Sequence, residues 1–191
     1  MSTTQQLLTQ SDAGMELTRE EFLEGEFDSA WRYERAEGRL AVMPPPDFDH
    51  HVVAMSFRNH LGAYMLAHTD EVEFVFQESH TVVDGDTDRI PDIAVYLKSS
   101  RELPEFPFRV PDLVFEVVSP GWANMRRDYE EKREEYERLG VREYVIVDRF
   151  AHRLTVLTLT DGQFAESWLG PKDSFTSPLL PGLSIPLAGI L

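Results

Sequence analysis

Val110-Pro-Asp-Leu-Val-Phe-Glu-Val-Val-Ser-Pro120 is the stretch on which the fold of this chain turns. Between its prolines runs the kind of apolar segment that forms a fully buried central strand, and Glu116 interrupts it. An ionised carboxylate buried without a partner is strongly unfavourable, so Glu116 must pair with a cation, bind a metal or carry a proton. An ordinary buried salt bridge stands as the structural alternative to a functional site.

Working outward, Ser119-Pro120-Gly121 breaks the strand, and residues 125–139 then read as a helix closed by a left-handed cap at Gly140. Along it Met125, Tyr129, Lys132, Tyr136 and Leu139 follow helical spacing and form one inward-facing stripe. A lysine in the middle of that stripe needs an anion on the facing sheet, unless its ammonium snorkels past the rings to water. Glu116 is the candidate anion.

Upstream, Ile90-Pro-Asp-Ile-Ala-Val95 places Asp92 at the start of another apolar strand. Asp112 competes with Asp92 as a carboxylate partner for Glu116, and geometry separates them. Residues 112 and 116 lie on one face of one strand, roughly 13 Å apart at about 3.3 Å per residue. Two carboxylates on one magnesium ion bring their oxygens within roughly 4 Å of each other. Asp92, on a separate strand, can meet that condition if the strands are neighbours.

The remaining pattern is a mixed one. Thr18 followed by Glu21 is a capping-box start for a short helix over 18–26. Residues 33–43 read as a strand pair turning at Glu37-Gly38, ended by Pro44 to Pro46, and 49–68 as a long helix. Strands are expected over 72–83, 90–97, 113–118, 144–148 and 154–160, with turns at Asp84-Gly85-Asp86 and Asp161-Gly162. This order suggests an α/β (α+β) domain, a mixed sheet flanked by helices. Residues 1–15 are expected as a flexible N-terminal tail, 16–191 as the single domain, and 170–191 as an irregular Pro-rich arm.

Composition sets limits. The 191 residues, 42% hydrophobic and 27% charged, suit one globular domain. No window has the apolar length of a membrane span, and the first residues lack the pattern of a signal peptide, so a cytoplasmic protein without membrane partners is expected. With no cysteine, any metal must be held by oxygen or imidazole, which favours a hard ion such as Mg²⁺ or Mn²⁺. The net charge of −16 argues against a non-specific polyanion binder. The acidity is uneven: residues 1–30 hold seven acids against Arg19, whereas 121–142 hold six basic and six acidic side chains.

These residues resemble the PD-(D/E)XK, restriction-endonuclease-like nucleases, and within them the Uma-type branch of small bacterial endonucleases. The resemblance runs from about Leu17 to Asp148. It rests on Tyr33-Glu34 before Glu37-Gly38, Pro44 to His50, Pro91-Asp92, Pro111 to Pro120, Asp128 with Lys132 and Tyr136, and Glu143-Tyr144 through Asp148. It implies Asp92 and Glu116 as metal ligands, Glu34 as an additional acid near the metal and Lys132 as the catalytic lysine. The superfamily's usual lysine position, two residues after the glutamate, holds Val118 here. The branch moves the lysine to the following helix, where the stripe had already marked Lys132.

The chain departs from the branch in a loop, 119–128, about two residues longer than usual, and in Ala36-Glu37 where an Ile-Asp pair usually precedes glycine. The implied activity is Mg²⁺- or Mn²⁺-dependent hydrolysis of phosphodiester bonds in DNA by an endonuclease. Lys132 would orient or deprotonate the attacking water, with positioning the safer role. The alternatives are a non-catalytic interaction protein retaining the fold, and a hydrolase of another phosphodiester. His50, Arg126 and Arg127 are candidates for substrate contact, each with a capping, packing or plain surface role as its alternative. Relatives of this kind often act as homodimers, and 179–191 is the candidate apolar surface for one.

Overall fold

The computed structural model describes residues 7–99 and 102–191. It begins with β1 (Leu7–Leu8), a helical turn at Gln10–Asp12, α1 (Arg19–Glu24) and β2 (Glu26–Phe27). Thr18 caps α1 as expected: its side chain accepts from the Glu21 amide, and the Glu21 side chain accepts from the Thr18 amide. β3 (Arg32–Ala36) and β4 (Arg39–Met43) form the expected hairpin. Its two-residue turn requires positive φ at both positions, and Glu37 and Gly38 have φ of 51° and 72°.

The long helix α2 (Phe48–Ala67) starts at Asp47, whose carboxylate accepts from the His50 amide. The strands β5 (Val72–Gln77), β6 (Thr81–Val82), β7 (Asp88–Arg89), β8 (Ile93–Leu97) and β9 (Leu113–Val117) follow. Next come α3 (Trp122–Arg126) and α4 (Lys132–Leu139), joined through one π turn over Arg127–Glu131. β10 (Glu143–Asp148), β11 (Arg153–Thr160), β12 (Gln163–Leu169), β13 (Ser174–Ser177) and β14 (Leu180–Pro186) complete the fold.

Six strands make the central sheet in the order β12-β11-β10-β9-β8-β5, with only β9 and β10 parallel. Alternation along β9 sends Leu113, Phe115 and Val117 to one face, where Phe57 and Leu61 of α2 cover them. It sends Val114 and Val118 to the other face, against Tyr136 of α4 and Tyr144 and Ile146 of β10. Glu116 therefore points towards α4. A second sheet, β4-β3-β7-β6, stands beside this face and supplies Glu34.

Some expectations are corrected. Residues 7–15 are not a free tail: β1 pairs with β2, Leu8 is buried, and the Gly14 amide donates to the Leu40 carbonyl. Residues 1–6 of that expected tail lie outside the described residues. The stretch 72–83 is two strands, broken where Glu78 takes a φ of 53°.

The largest change concerns 170–191, where β13 and β14 pair as a hairpin. Phe175, Leu183, Ile185 and Leu187 are buried in the core with Phe57 and Phe115. Leu183, Ile185 and Leu187 alternate inward with period two, while Pro181 and Pro186 face outward on a ribbon that tolerates them. This segment is thus spent on the chain's own core and offers no exposed apolar arm to a second copy. Among the described residues no helix is long and apolar enough to cross a membrane.

Candidate active site

Strand register brings the two acids together. Ile93 pairs with Phe115 and Val95 with Leu113 in antiparallel β8 and β9, so Asp92, one residue before β8, stands opposite Glu116 on the same face. The Val117 amide donates to Asp92 Oδ2 at 2.8 Å. His50 Nε2 at 3.1 Å and Arg32 Nη1 at 3.2 Å hold the other oxygen of Asp92. Glu116 receives Lys132 Nζ at 2.7 Å and the Tyr136 hydroxyl at 3.0 Å, both on Oε1. Glu34 Oε1 accepts from the Ile90 amide at 3.1 Å and lies 3.6 Å from Lys132 Nζ, while Arg89 holds Oε2 at 3.0 Å. A cavity of about 180 Å³ opens onto Asp92, Glu116, Glu34, Lys132, Asp128 and Arg127.

The π turn explains how the helix serves this cavity. Asn124, Asp128 and Lys132 line it, and Tyr136 reaches Glu116, four positions spaced four residues apart. In a regular α-helix each four-residue step drifts by about 40°, enough to carry the stripe off the cavity over three steps. A wider turn absorbs that drift. The expected stripe is therefore adjusted. Tyr129, Lys132, Tyr136 and Leu139 do face inward, but Met125 is 41% exposed and Asp128 is buried 3.7 Å from Lys132 Nζ.

Burial and crowding set the proton inventory. Burial drives Glu116 upward against the pull of Lys132, and with Asp92, Asp128 and Glu34 nearby it reaches about 8. Asp128 rises to about 6, again chiefly by burial. Glu34 and Asp92 are buried too, yet each falls to about 2. For Glu34 the opposing groups are Lys132, Arg89 and Arg127, and for Asp92 they are His50, Arg32 and the Val117 amide. Burial alone would lower Lys132, but Glu116, Glu34 and Asp128 outweigh it and raise its pKa. Lys132 is thus held as a cation, which suits positioning and charge neutralisation and not proton abstraction.

The structure gathers Glu34, Asp92, Glu116 and Lys132 into one site. His50 is there also, but its ring is buried between Asp92 and Ser119 Oγ at 3.5 Å, so it orients Asp92. Arg127 lines the cavity, whereas Arg126 turns away to Glu131 at 2.8 Å. Asp112 is occupied elsewhere, accepting from the Leu97 amide at 2.8 Å and from Arg142 at 3.2 Å. Sequence reasoning gave no role to Arg32, Arg89 or the Tyr136 hydroxyl. Asp128 had a readable signal, since it precedes Lys132 by four residues and so shares its helix face.

Among the described residues no three His, Asp or Glu side chains converge as a ready metal-binding group. The donor set nevertheless fits a hard divalent ion, which is commonly held by one or two carboxylates with water and phosphate completing the shell. Two adjacent carboxylates, and a Glu116 whose proton affinity is raised by burial and by the neighbouring acids, are the features a divalent ion would relieve. Because Glu116 must lose that proton, apparent Mn²⁺ affinity is expected to rise roughly tenfold per pH unit up to about pH 8. Calorimetric titrations from pH 6 to 8 in buffers of different ionisation heat measure this, and a flat profile contradicts it.

The metal-free chain has a matching stability signature. Glu116 and Asp128, raised on folding, stabilise it at low pH, and that contribution is lost as pH climbs through about 6 and then 8. Glu34 and Asp92, depressed on folding, contribute above their unfolded values near 4 and lose that only as pH falls towards 2.

A mixed sheet flanked by helices, with two acids meeting across adjacent strands, is a restriction-endonuclease-like fold. The chain belongs to the Uma2 family, described as "Putative restriction endonuclease", whose model matches residues 19–188. A crystal structure described as "a putative nuclease belonging to DUF820", from Anabaena variabilis ATCC 29413, is similar with a TM-score of 0.72. It shares 17% identity and covers 91% of this chain and 97% of its own, a likeness that speaks for fold alone. No curated protein matches. Family and fold together support a nuclease.

Proposed function

We propose that the chain is a Mg²⁺- or Mn²⁺-dependent endonuclease that hydrolyses phosphodiester bonds in DNA. The observation that carries this reading is the pairing of Asp92 and Glu116 across neighbouring strands, with Lys132 Nζ 2.7 Å from Glu116. An ion held by Asp92 and Glu116 would supply Lewis acidity and a bound water of lowered pKa. Lys132 neutralises negative charge developing on the phosphoryl oxygens and fixes the attacking water by donating to it. Tyr136 and Lys132 together hold one oxygen of Glu116, so the other keeps a constant aim. His50, Arg32 and the Val117 amide do the same for Asp92. Arg127 lines the cavity with a buried Nε that has no hydrogen-bond partner among the described residues, which supports it as a contact for a substrate phosphate.

Purified protein is expected to nick plasmid DNA with Mg²⁺ or Mn²⁺ and to stop on chelation. Nicking that survives both EDTA and Asp92→Ala would sink the reading. The net charge of −16 favours one rival, hydrolysis of a small phosphodiester. Bis(p-nitrophenyl) phosphate assayed beside DNA separates the two.

A further inference from the structure

The sheet face that carries Asp92 and Glu116 extends beyond α4. Register partners run in one transverse row from Glu116 through Ile146 and Thr155 to Trp168. Partners in a row point to the same face, and three strand spacings put Trp168 roughly 14 Å from Glu116. Trp168 is 64% exposed.

Between it and the site stands Arg153, whose guanidinium lies 5.3 Å from the Trp168 ring and 5.9 Å from that of Tyr129. The Nε of Arg153 is buried without a hydrogen-bond partner among the described residues. Tyr129 follows Asp128 of the active site directly. Trp122, 72% exposed, lies under Arg126 at 5.8 Å and shares a concavity with Tyr129 and Arg153.

Two exposed indoles, each beside an arginine, therefore stand outside the cavity, which neither of them lines, on a protein whose net charge is −16. Such a chain cannot draw its affinity from a broad basic face laid against duplex phosphates. Stacking of bases on aromatic rings is tolerant of sequence and adds affinity that does not come from phosphate contacts, and arginine adds cation–π attraction. Bases inside a duplex already stack on one another, so only unpaired bases can use these rings.

We infer that Trp168, Arg153, Tyr129 and Trp122 form a shelf for unpaired bases, and that the substrate strand is single-stranded or locally opened DNA in preference to intact duplex. That this strand is the one cut rests on the nuclease reading above.

Binding is measured apart from cleavage on the full chain carrying Asp92→Asn, with a fluorescein-labelled oligothymidylate and a duplex of equal length. The oligothymidylate should bind more tightly and quench tryptophan fluorescence. Trp168→Ala and Trp122→Ala, both at exposed positions, should each weaken it roughly five- to hundredfold with unchanged circular dichroism. Equal affinity for the duplex, or indifference to both substitutions, overturns the shelf. So does loss of self-association in Trp168→Ala with oligothymidylate binding intact. If the unsubstituted protein cuts duplex DNA but no oligothymidylate binds, the shelf falls and the nuclease stands. If oligothymidylate binds through the tryptophans but Mn²⁺ elicits no cutting, base binding stands and the nuclease reading falls.

Discussion

Lys132→Met is expected to slow DNA cleavage by roughly a hundred- to a thousandfold while leaving Mn²⁺ uptake intact. The size follows from removing one preorganised cationic donor from a water-poor site. The sparing of metal follows from position: Lys132 sits among Glu116, Glu34 and Asp128, so its loss makes the site more negative, not less. Asp92→Asn is expected to do the reverse, abolishing uptake. Titration of Mn²⁺ alongside plasmid nicking distinguishes the two variants. Cleavage by Lys132→Met within about threefold of the parent would remove the lysine from the mechanism, because so small a loss is well under 1 kcal/mol of barrier. The variant should also be less stable, since breaking a buried ion pair from one side costs about 3–5 kcal/mol. Glu116 already inclines to hold a proton, so the destabilisation should be smaller at pH 6 than at pH 9.

Arg89→Met is expected to be the most damaging change away from the reacting atoms. Arg89 is fully buried and joins three elements: it lies on β7, meets Glu34 of β3 at 3.0 Å and forks onto Glu135 of α4 at 2.6 and 2.7 Å. Burial opposes its charge, but Glu135 and Glu34 outweigh burial and raise its pKa. Without it, Glu34 keeps Lys132, Arg127 and the Ile90 amide, and the second sheet loses its fork onto Glu135 of the helix. A cost of about 3–5 kcal/mol corresponds to a Tm lower by roughly 10 °C in a domain of this size. Arg89→Lys should recover only part of that, because a lysine cannot fork onto Glu135. Thermal unfolding followed by circular dichroism gives the answer, and an unchanged Tm for Arg89→Met would show that the tie carries no stability.

The elements most legible in the sequence are those governed by short-range rules. Thr18 with Glu21, Glu37-Gly38 and Gly140 each name a cap or turn through local geometry, and each lies where expected. Glu116, Asp92 and Lys132 were legible for a different reason: each is a charge in an apolar pattern, and the strand arithmetic that rejected Asp112 needs only the rise per residue. What the sequence did not reveal depends on pairing between distant segments. Arg89 and Arg32 carry no signal of their own until the second sheet brings them to Glu34 and Asp92. Residues 170–191 looked irregular because prolines hid a period-two pattern whose meaning depends on the core waiting for it. The π turn was hidden as well, since no residue type in Arg127–Glu131 announces a change of winding.

That turn bears on how the chain tolerates changes in length. A π turn is an α turn that has accepted one extra residue, so the helix before it and the helix after it keep their mutual orientation. Deleting one residue from 127–131 would let the helix heal, with Lys132 and Tyr136 still facing Glu116. Asp128 would then stand three residues before Lys132, about 60° round the helix from it. The loop and first helical turn ahead of the lysine can thus gain or lose a residue without dismantling the pair beneath. The address of the lysine is written in angle around the helix, and counting residues from the glutamate does not find it.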